Sequence, residues 1–291
     1  MIPVAYLQQW AAVAPWPELR QIEQDLVISR ALVELFKSPI LTDKIAFRGG
    51  TAIHKLLFSK PLRYSEDIDL VQLTPEPIGQ TIDSIRLALS WLGNCRREQA
   101  GHSLHLIFRF APEAEPATTL KLKVELNTRE HSPLFAIKKY PFAVQNEWFS
   151  GSAEIASYEP EELFGTKLRA LLQRNKGRDL FDLEHGLTQL SLSPSRVIDC
   201  LRHYLHQEGL SITRANAEKR MLQKLSRSLT EDIASLLPTS ILFTDEKAIV
   251  AFNRIWKVLI QAMRGASWKS TPTVVEKIRQ TSIPNLLPDL D

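Results

Sequence analysis

Residues 18–37, ELRQIEQDLVISRALVELFK, place Leu19, Ile22, Leu26, Ala31, Leu32 and Leu35 at helical spacing with charged and polar residues between them, which predicts an amphipathic helix. Pro39 lies just beyond, where the helix cannot continue. Residues 44–48, Lys-Ile-Ala-Phe-Arg, read as a short strand running into Gly49-Gly50. Residues 51–58 read as a short helix closed by Ser59-Lys60-Pro61, and residues 67–71, Asp-Ile-Asp-Leu-Val, as a second strand. A further helix is predicted over about 78–93, with Ile82, Ile85, Leu89 and Leu92 on one side. Two strands then alternate with period two. In the first, Leu104, Leu106, Phe108 and Phe110 share a face. In the second, Leu120, Leu122, Val124 and Leu126 point one way and Lys121, Lys123, Glu125 and Asn127 the other, with a hairpin-like loop, 111–119, between the two strands.

From Pro160 onward strand patterns nearly vanish and helical periods run to about residue 281. Glu159-Pro160 puts proline at a favoured first helical position. The expected organisation is therefore α+β: a core of mixed sheet and helices over 1–158, including the N-terminal helix, then a mainly helical region over 159–291.

Composition narrows the class. With 44% hydrophobic and 24% charged residues among 291, the chain is not disordered. No run of about 18 uncharged apolar residues is present, so no membrane span is expected. The N-terminal stretch lacks the basic and apolar regions of a secretory signal. Two cysteines, Cys95 and Cys200, make no disulfide framework, and a reducing cytoplasm is the expected location. A net charge of +3 implies no nucleic-acid partner by itself.

The chemistry concentrates in residues 47–70. A strand entering Gly49-Gly50-Thr51 and then a helix brings backbone N–H groups to the helix start, a geometry that suits a phosphate. Asp67 and Asp69, two apart on a strand, leave the same face. Paired carboxylates repel unless a cation lies between them, and Mg²⁺ or Mn²⁺ is the natural partner beside a phosphate site. Glu125, on the polar face of a later strand, would be a third acid if that strand neighbours the first. Three acids around metal are the apparatus of phosphoryl or nucleotidyl transfer. Taken singly, each feature has an ordinary reading as a turn, a solvated strand edge or an outward residue; their joint occurrence in this order carries the argument. Cys200, His203 and His206 spread around a helix without a fourth ligand, and His102 and His105 read as structural.

Gly50-Thr51…Asp67-Ile-Asp69 with Glu125 resembles the DNA polymerase β-like nucleotidyltransferase superfamily. The longer runs FRGGTAIHKLL, LRYSEDIDLV and LFGTKLRALLQRNKGRDLFDL resemble the AbiEii family of nucleotidyltransferase toxins, which includes the MenT toxins, over about residues 44–185. The fifteen-residue gap between Thr51 and Asp67 is longer than the superfamily norm and is shared by that branch. The resemblance implies a polymerase β-like core. Gly49, Gly50 and Thr51 would hold an NTP, while Asp67, Asp69 and Glu125 would bind Mg²⁺ or Mn²⁺. Lys167, Arg174, Arg178, Asp179 and Asp182 would form a second NTP-binding block, with Lys167 also in a catalytic role. Lys167, Leu171, Arg174 and Arg178 are spaced four, three and four, one stripe if the helix continues through Gly177; a break there would turn Arg178 away. The implied activity is metal-dependent addition of nucleotides to the 3′ end of tRNA, blocking aminoacylation and translation, by a toxin restrained by a cognate antitoxin. The same fold could instead transfer the nucleotide to a protein or small molecule, or serve as a non-catalytic RNA-binding or inhibitor protein.

Two further expectations concern partners. Residues 211–230 hold five bases to one acid, and residues 251–280 six to one, with Trp256 and Trp268 among them; such a surface suits an RNA backbone and unpaired bases. Ser65 lies two residues before Asp67. A phosphate placed there by a partner kinase would add about −1.5 to −2 charge and clash with an incoming triphosphate; the bland alternative is a turn serine.

Overall fold

The computed structural model describes residues 2–101, 103–113 and 115–290, so His102 lies outside the described residues. The chain divides into two compact units, one of residues 1–159 with 236–241 and the other of 160–235 with 242–291.

The first unit is built on a seven-stranded mixed sheet of order β3-β4-β5-β2-β1-β7-β6. Its strands are β1 (Ile45–Arg48), β2 (Asp67–Gln72), β3 (Cys95–Ala100), β4 (Ser103–Phe110), β5 (Leu120–Asn127), β6 (Lys138–Gln145) and β7 (Ser150–Ser157). β2 lies at the centre, antiparallel to β1 and parallel to β5. Helices α1 (Val4–Trp10), α2 (Leu19–Lys37), α3 (Gly49–Leu56) and α4 (Gly79–Ala88) complete the unit. The strands β4, β5 and β2 fall where the alternation predicts them, with Leu104, Leu106, Leu122, Val124, Ile68 and Leu70 buried.

Helix α2 departs from the amphipathic expectation. It opens with a capping box between Glu18 and Gln21, but Glu23, Gln24, Asp25 and Ser29 are buried along with the apolar stripe. Each polar group is satisfied by the chain wrapped around the helix, as burial of polar atoms requires. Asp25 accepts from Trp10 Nε1 (3.0 Å), Trp16 Nε1 (3.2 Å) and Lys55 Nζ (3.0 Å). Gln24 Nε2 donates to the carbonyls of Glu66 (3.2 Å) and Lys121 (2.9 Å), tying together the entries to β2 and β5.

The second unit is helical: α5 (Pro160–Gln173), α6 (Gly177–Gln189), α7 (Pro194–Gln207), α8 (Arg214–Lys224), α9 (Asp245–Ile255, continued by a π-helical turn over Trp256–Ile260) and α10 (Thr271–Thr281). α5 packs on α6 and α7, and α6 on α9. Buried Glu218 joins α8 to the start of α10, accepting from Arg214 Nε (2.8 Å), Ser267 Oγ (2.6 Å), Trp268 N (2.9 Å) and Thr271 Oγ1 (2.7 Å).

Candidate active site

The parallel register of β2 and β5 sets Asp67 opposite Lys123 and Asp69 opposite Glu125. Period two then puts all four side chains on one face, with strands about 4.8 Å apart. On the other side of β2, Arg48 is the register partner of Asp69 and is paired with Glu130. On the far side of β5, His105 Nε2 lies 3.3 Å from Glu125 Oε2.

The two glycines at the β1–α3 junction are demanded by these charges. Gly49 has φ +79°, and a Cβ there would lie 2.0 Å from Asp69 Oδ2; the position needs a left-handed backbone and an absent side chain. A Cβ on Gly50 would lie 2.3 Å from a terminal nitrogen of the buried Arg63 guanidinium. Asp69 therefore packs directly on the turn that leads into α3. Thr51 is 1% exposed; its hydroxyl donates to the Asp67 carbonyl (2.6 Å) and lies 2.8 Å from Ser65 Oγ. That hydroxyl braces the segment entering β2, which leaves the backbone N–H as the part of Thr51 available to a phosphate.

The electrostatics follow from this packing. Burial, then Asp67 and Glu125, carry the Asp69 carboxyl up to about 6, with Arg48 and Lys123 opposing. Burial also pushes Glu125 up, but Ser103, Lys123 and His105 outweigh it and hold the group below the ordinary carboxylate range. The donors are hard oxygens and Asp67 and Asp69 leave negative charge only partly compensated, so the pair fits a divalent cation. Among the described residues, however, no three His, Cys, Asp or Glu side chains are gathered closely enough to hold a metal. Lys123 Nζ stands between Asp67 Oδ2 (3.1 Å) and Glu125 Oε2 (3.3 Å). The alternation named Lys123 as an outward residue of β5; only the pairing with β2 brings it to the acids. Arg48 joins through the pairing of β1 with β2, His105 through that of β4 with β5, and Arg63 through its packing on Gly50; nothing in their sequence context marks them.

In the second unit, Lys167 is buried with its ammonium 3.1 Å from Asp179 Oδ1 and 3.0 Å from Asp182 Oδ2. Arg174 makes two further bonds to Asp179, from Nε (2.7 Å) and Nη2 (2.9 Å). Burial raises the Asp179 carboxyl, but Lys167 and Arg174 dominate and hold it below its ordinary value. The helix breaks between Gln173 and Gly177, and Arg178 lies beside Asp232 (Nε–Oδ2 3.8 Å), apart from the Lys167–Arg174 cluster.

The basic C-terminal stretches are more committed to structure than composition implies. Arg214 serves Glu218, and Arg254 pairs with Glu184 and Lys257 with Asp289. Lys224 donates to the Arg174 carbonyl (2.6 Å) and to Asn175 (3.1 Å). Arg279 binds carbonyls of residues 286–290. Trp256 is core, while Lys219, Arg264, Lys269 and Lys277 are exposed. Cys200 is fully buried and burial pushes its thiol up.

A mixed sheet carrying Asp-x-Asp on its central strand, with an acid in register on the next strand and a glycine turn packed on the second aspartate, defines a nucleotidyltransferase-type protein. The chain belongs to the AbiEii family of nucleotidyl transferase toxins of type IV toxin–antitoxin systems, whose sequence model matches residues 30–257. Its fold is that of MenT4, a nucleotidyltransferase toxin from Mycobacterium tuberculosis H37Rv, with TM-score 0.63, 16% identity, and coverage of 100% of this chain and 99% of that one. A protein from H. pylori (TM-score 0.48, 17% identity, 84% of this chain and 99% of that one) is also similar. So is an antigenic nucleotidyltransferase-like protein from Paracoccidioides brasiliensis (TM-score 0.39, 16% identity, 64% and 89%). No curated protein sequence matches. Among the described residues no helix is long and apolar enough to cross a membrane.

Proposed function

We propose that this toxin-type nucleotidyltransferase uses a divalent metal and an NTP to add nucleotides to the 3′ end of tRNA, so that aminoacylation and translation stop. The observation that carries the reading is the register of β2 and β5, which sets Asp67, Asp69 and Glu125 on one face beside the Gly49–Gly50 turn. Bound Mg²⁺ or Mn²⁺ would supply charge neutralisation for the triphosphate and acidify the attacking hydroxyl. Asp67 and Asp69 would hold that ion, and Asp69 is kept in place by the backbone of Gly49. The N–H groups of Gly50 and Thr51, at the start of α3, would donate to the phosphates. The 3′-hydroxyl oxygen bonds to the α-phosphorus as its proton passes to solvent, the bond from that phosphorus to the bridging oxygen breaks, and pyrophosphate leaves.

Three parts of the reading rest on family resemblance. Lys167, Arg174, Arg178, Asp179 and Asp182 form the second NTP-binding block, tRNA is the acceptor, and the site of action is the cytoplasm. A cognate antitoxin restrains the enzyme. A kinase partner acting on Ser65 is a specific means, because Ser65 is half-buried with its hydroxyl against Thr51. A phosphate there would break that contact and crowd the acids. The test is incorporation of labelled NTPs into total cellular RNA with Mg²⁺, followed by sequencing of the labelled 3′ ends. Label confined to tRNA 3′ ends, and lost with Asp69→Ala, is expected. Label on a protein or small molecule would replace the acceptor, and incorporation unaffected by Asp69→Ala would remove the site.

A further inference from the structure

We infer that Lys123 is a built-in second cation of this site: its ammonium already bridges Asp67 and Glu125, so the acidic group would accept a single divalent ion, held by Asp67 and Asp69. The inference rests on the nucleotidyltransferase reading and says how many metals that reading requires.

The register places the ammonium there. Because β2 and β5 run parallel with Asp67 opposite Lys123 and Asp69 opposite Glu125, three negative charges and one positive share one face of the sheet. Nζ contacts one oxygen of Asp67 at 3.1 Å and one of Glu125 at 3.3 Å, hydrogen-bond distances for charged partners. The Lys123 side chain is 31% exposed, so it is partly packed rather than waving in solvent. Glu125 is also met from its other flank by His105, at 3.3 Å.

Charge matching favours the same count. Three carboxylates and one ammonium leave a local charge that one divalent ion neutralises. Arg48 adds nothing net, because it is paired with Glu130. Without a triphosphate bound, a second divalent ion would overcharge these four groups and would have to force the ammonium out of two contacts. An ammonium in a fixed position also polarises neighbouring oxygens without exchanging ligands.

The test counts Mn²⁺ bound per chain, with Mn²⁺ alone as the probe, by calorimetric titration and by the loss of the free-ion signal in electron paramagnetic resonance. The unchanged protein, Lys123→Met and Lys123→Arg are compared, with circular dichroism to establish that each is folded. One Mn²⁺ is expected on the unchanged protein and on Lys123→Arg, and two on Lys123→Met. Two Mn²⁺ on the unchanged protein, or one on folded Lys123→Met, overturns the role of Lys123 and leaves the nucleotidyltransferase reading standing. No Mn²⁺ on any of the three folded proteins overturns the metal site itself, and with it the role of Lys123 and the metal-dependent part of the proposed function. If Lys123→Met does not fold, Lys123→Gln takes its place, with two Mn²⁺ expected and one on the folded protein overturning the role of Lys123.

Discussion

Replacing Asp69 by asparagine keeps the shape of the side chain against Gly49 and removes a charge that the fold holds at a cost. Its carboxyl is carried from 3.8 to about 6 by burial, Asp67 and Glu125, which amounts to up to about 3 kcal/mol at 1.36 kcal/mol per pH unit. The direction follows from proton counting. Below about pH 4 Asp69 is protonated in both folded and unfolded chains and contributes nothing to the pH dependence. As pH rises from 4 to 6 the unfolded chain releases this proton first, so the folded state loses stability, and the full cost stands above about 6. Asp69→Asn is therefore expected to be more stable than the unchanged protein at pH 7.5 without metal, by roughly 2–3 kcal/mol, and no more stable at pH 3.5. In a first unit of this size that corresponds to a rise of roughly 5–10 °C in its melting temperature. Calorimetry at the two pH values, with chelator present, measures both differences. Added Mg²⁺ should raise the melting temperature of the unchanged protein and leave Asp69→Asn where it was, since the ion needs the charge. A variant no more stable at pH 7.5, or equally stabilised at both pH values, would refute the electrostatic account of the site. The same substitution should abolish NTP incorporation, so stability and activity move in opposite directions.

Substitutions at three other positions test separate links. Gly49→Ala forces a Cβ into a left-handed position 2.0 Å from Asp69 Oδ2; it should cost about 1–3 kcal/mol and most of the activity, read by thermal melting and NTP incorporation, and wild-type values for both would show that the turn tolerates a side chain. Lys167→Met removes the cation between two fully buried carboxylates. A loss of roughly 3–5 kcal/mol in urea denaturation is expected, and an unchanged midpoint would mean the acids are satisfied without it. Ser65→Asp should lower NTP incorporation by on the order of tenfold through its added charge, while Ser65→Ala stays near the unchanged protein; equal activity in all three would discard Ser65 as a control point.

The sequence by itself determined the parts of this protein that depend on local period and spacing. Helix α2 and strands β4 and β5 follow from apolar positions at 3.6 and two residues. The glycine turn, Asp67-Ile-Asp69 and Glu125 were visible as an ordered set, and the chain's family with them. Several elements left no such trace. β3 (CRREQA) and β6 (KKYPFAVQ) are the two edge strands; β3 is polar from Arg96 to Gln99, and β6 is largely exposed and carries Pro141, which an edge tolerates. β7 alternates only weakly, its outer half being Ser and Gly. The buried Glu23, Gln24 and Asp25 of α2 looked like a solvated stripe until the wrapping of α1, α3 and residue 113 supplied their partners. Only the tertiary structure decided that Asp69 faces Glu125, that Lys123 stands between the acids, and that the Thr51 hydroxyl is spent on Ser65 and Asp67. Element type is set by neighbours a few positions away along the chain. Which charges meet is set by strand pairing between residues more than fifty positions apart, and no local pattern records it.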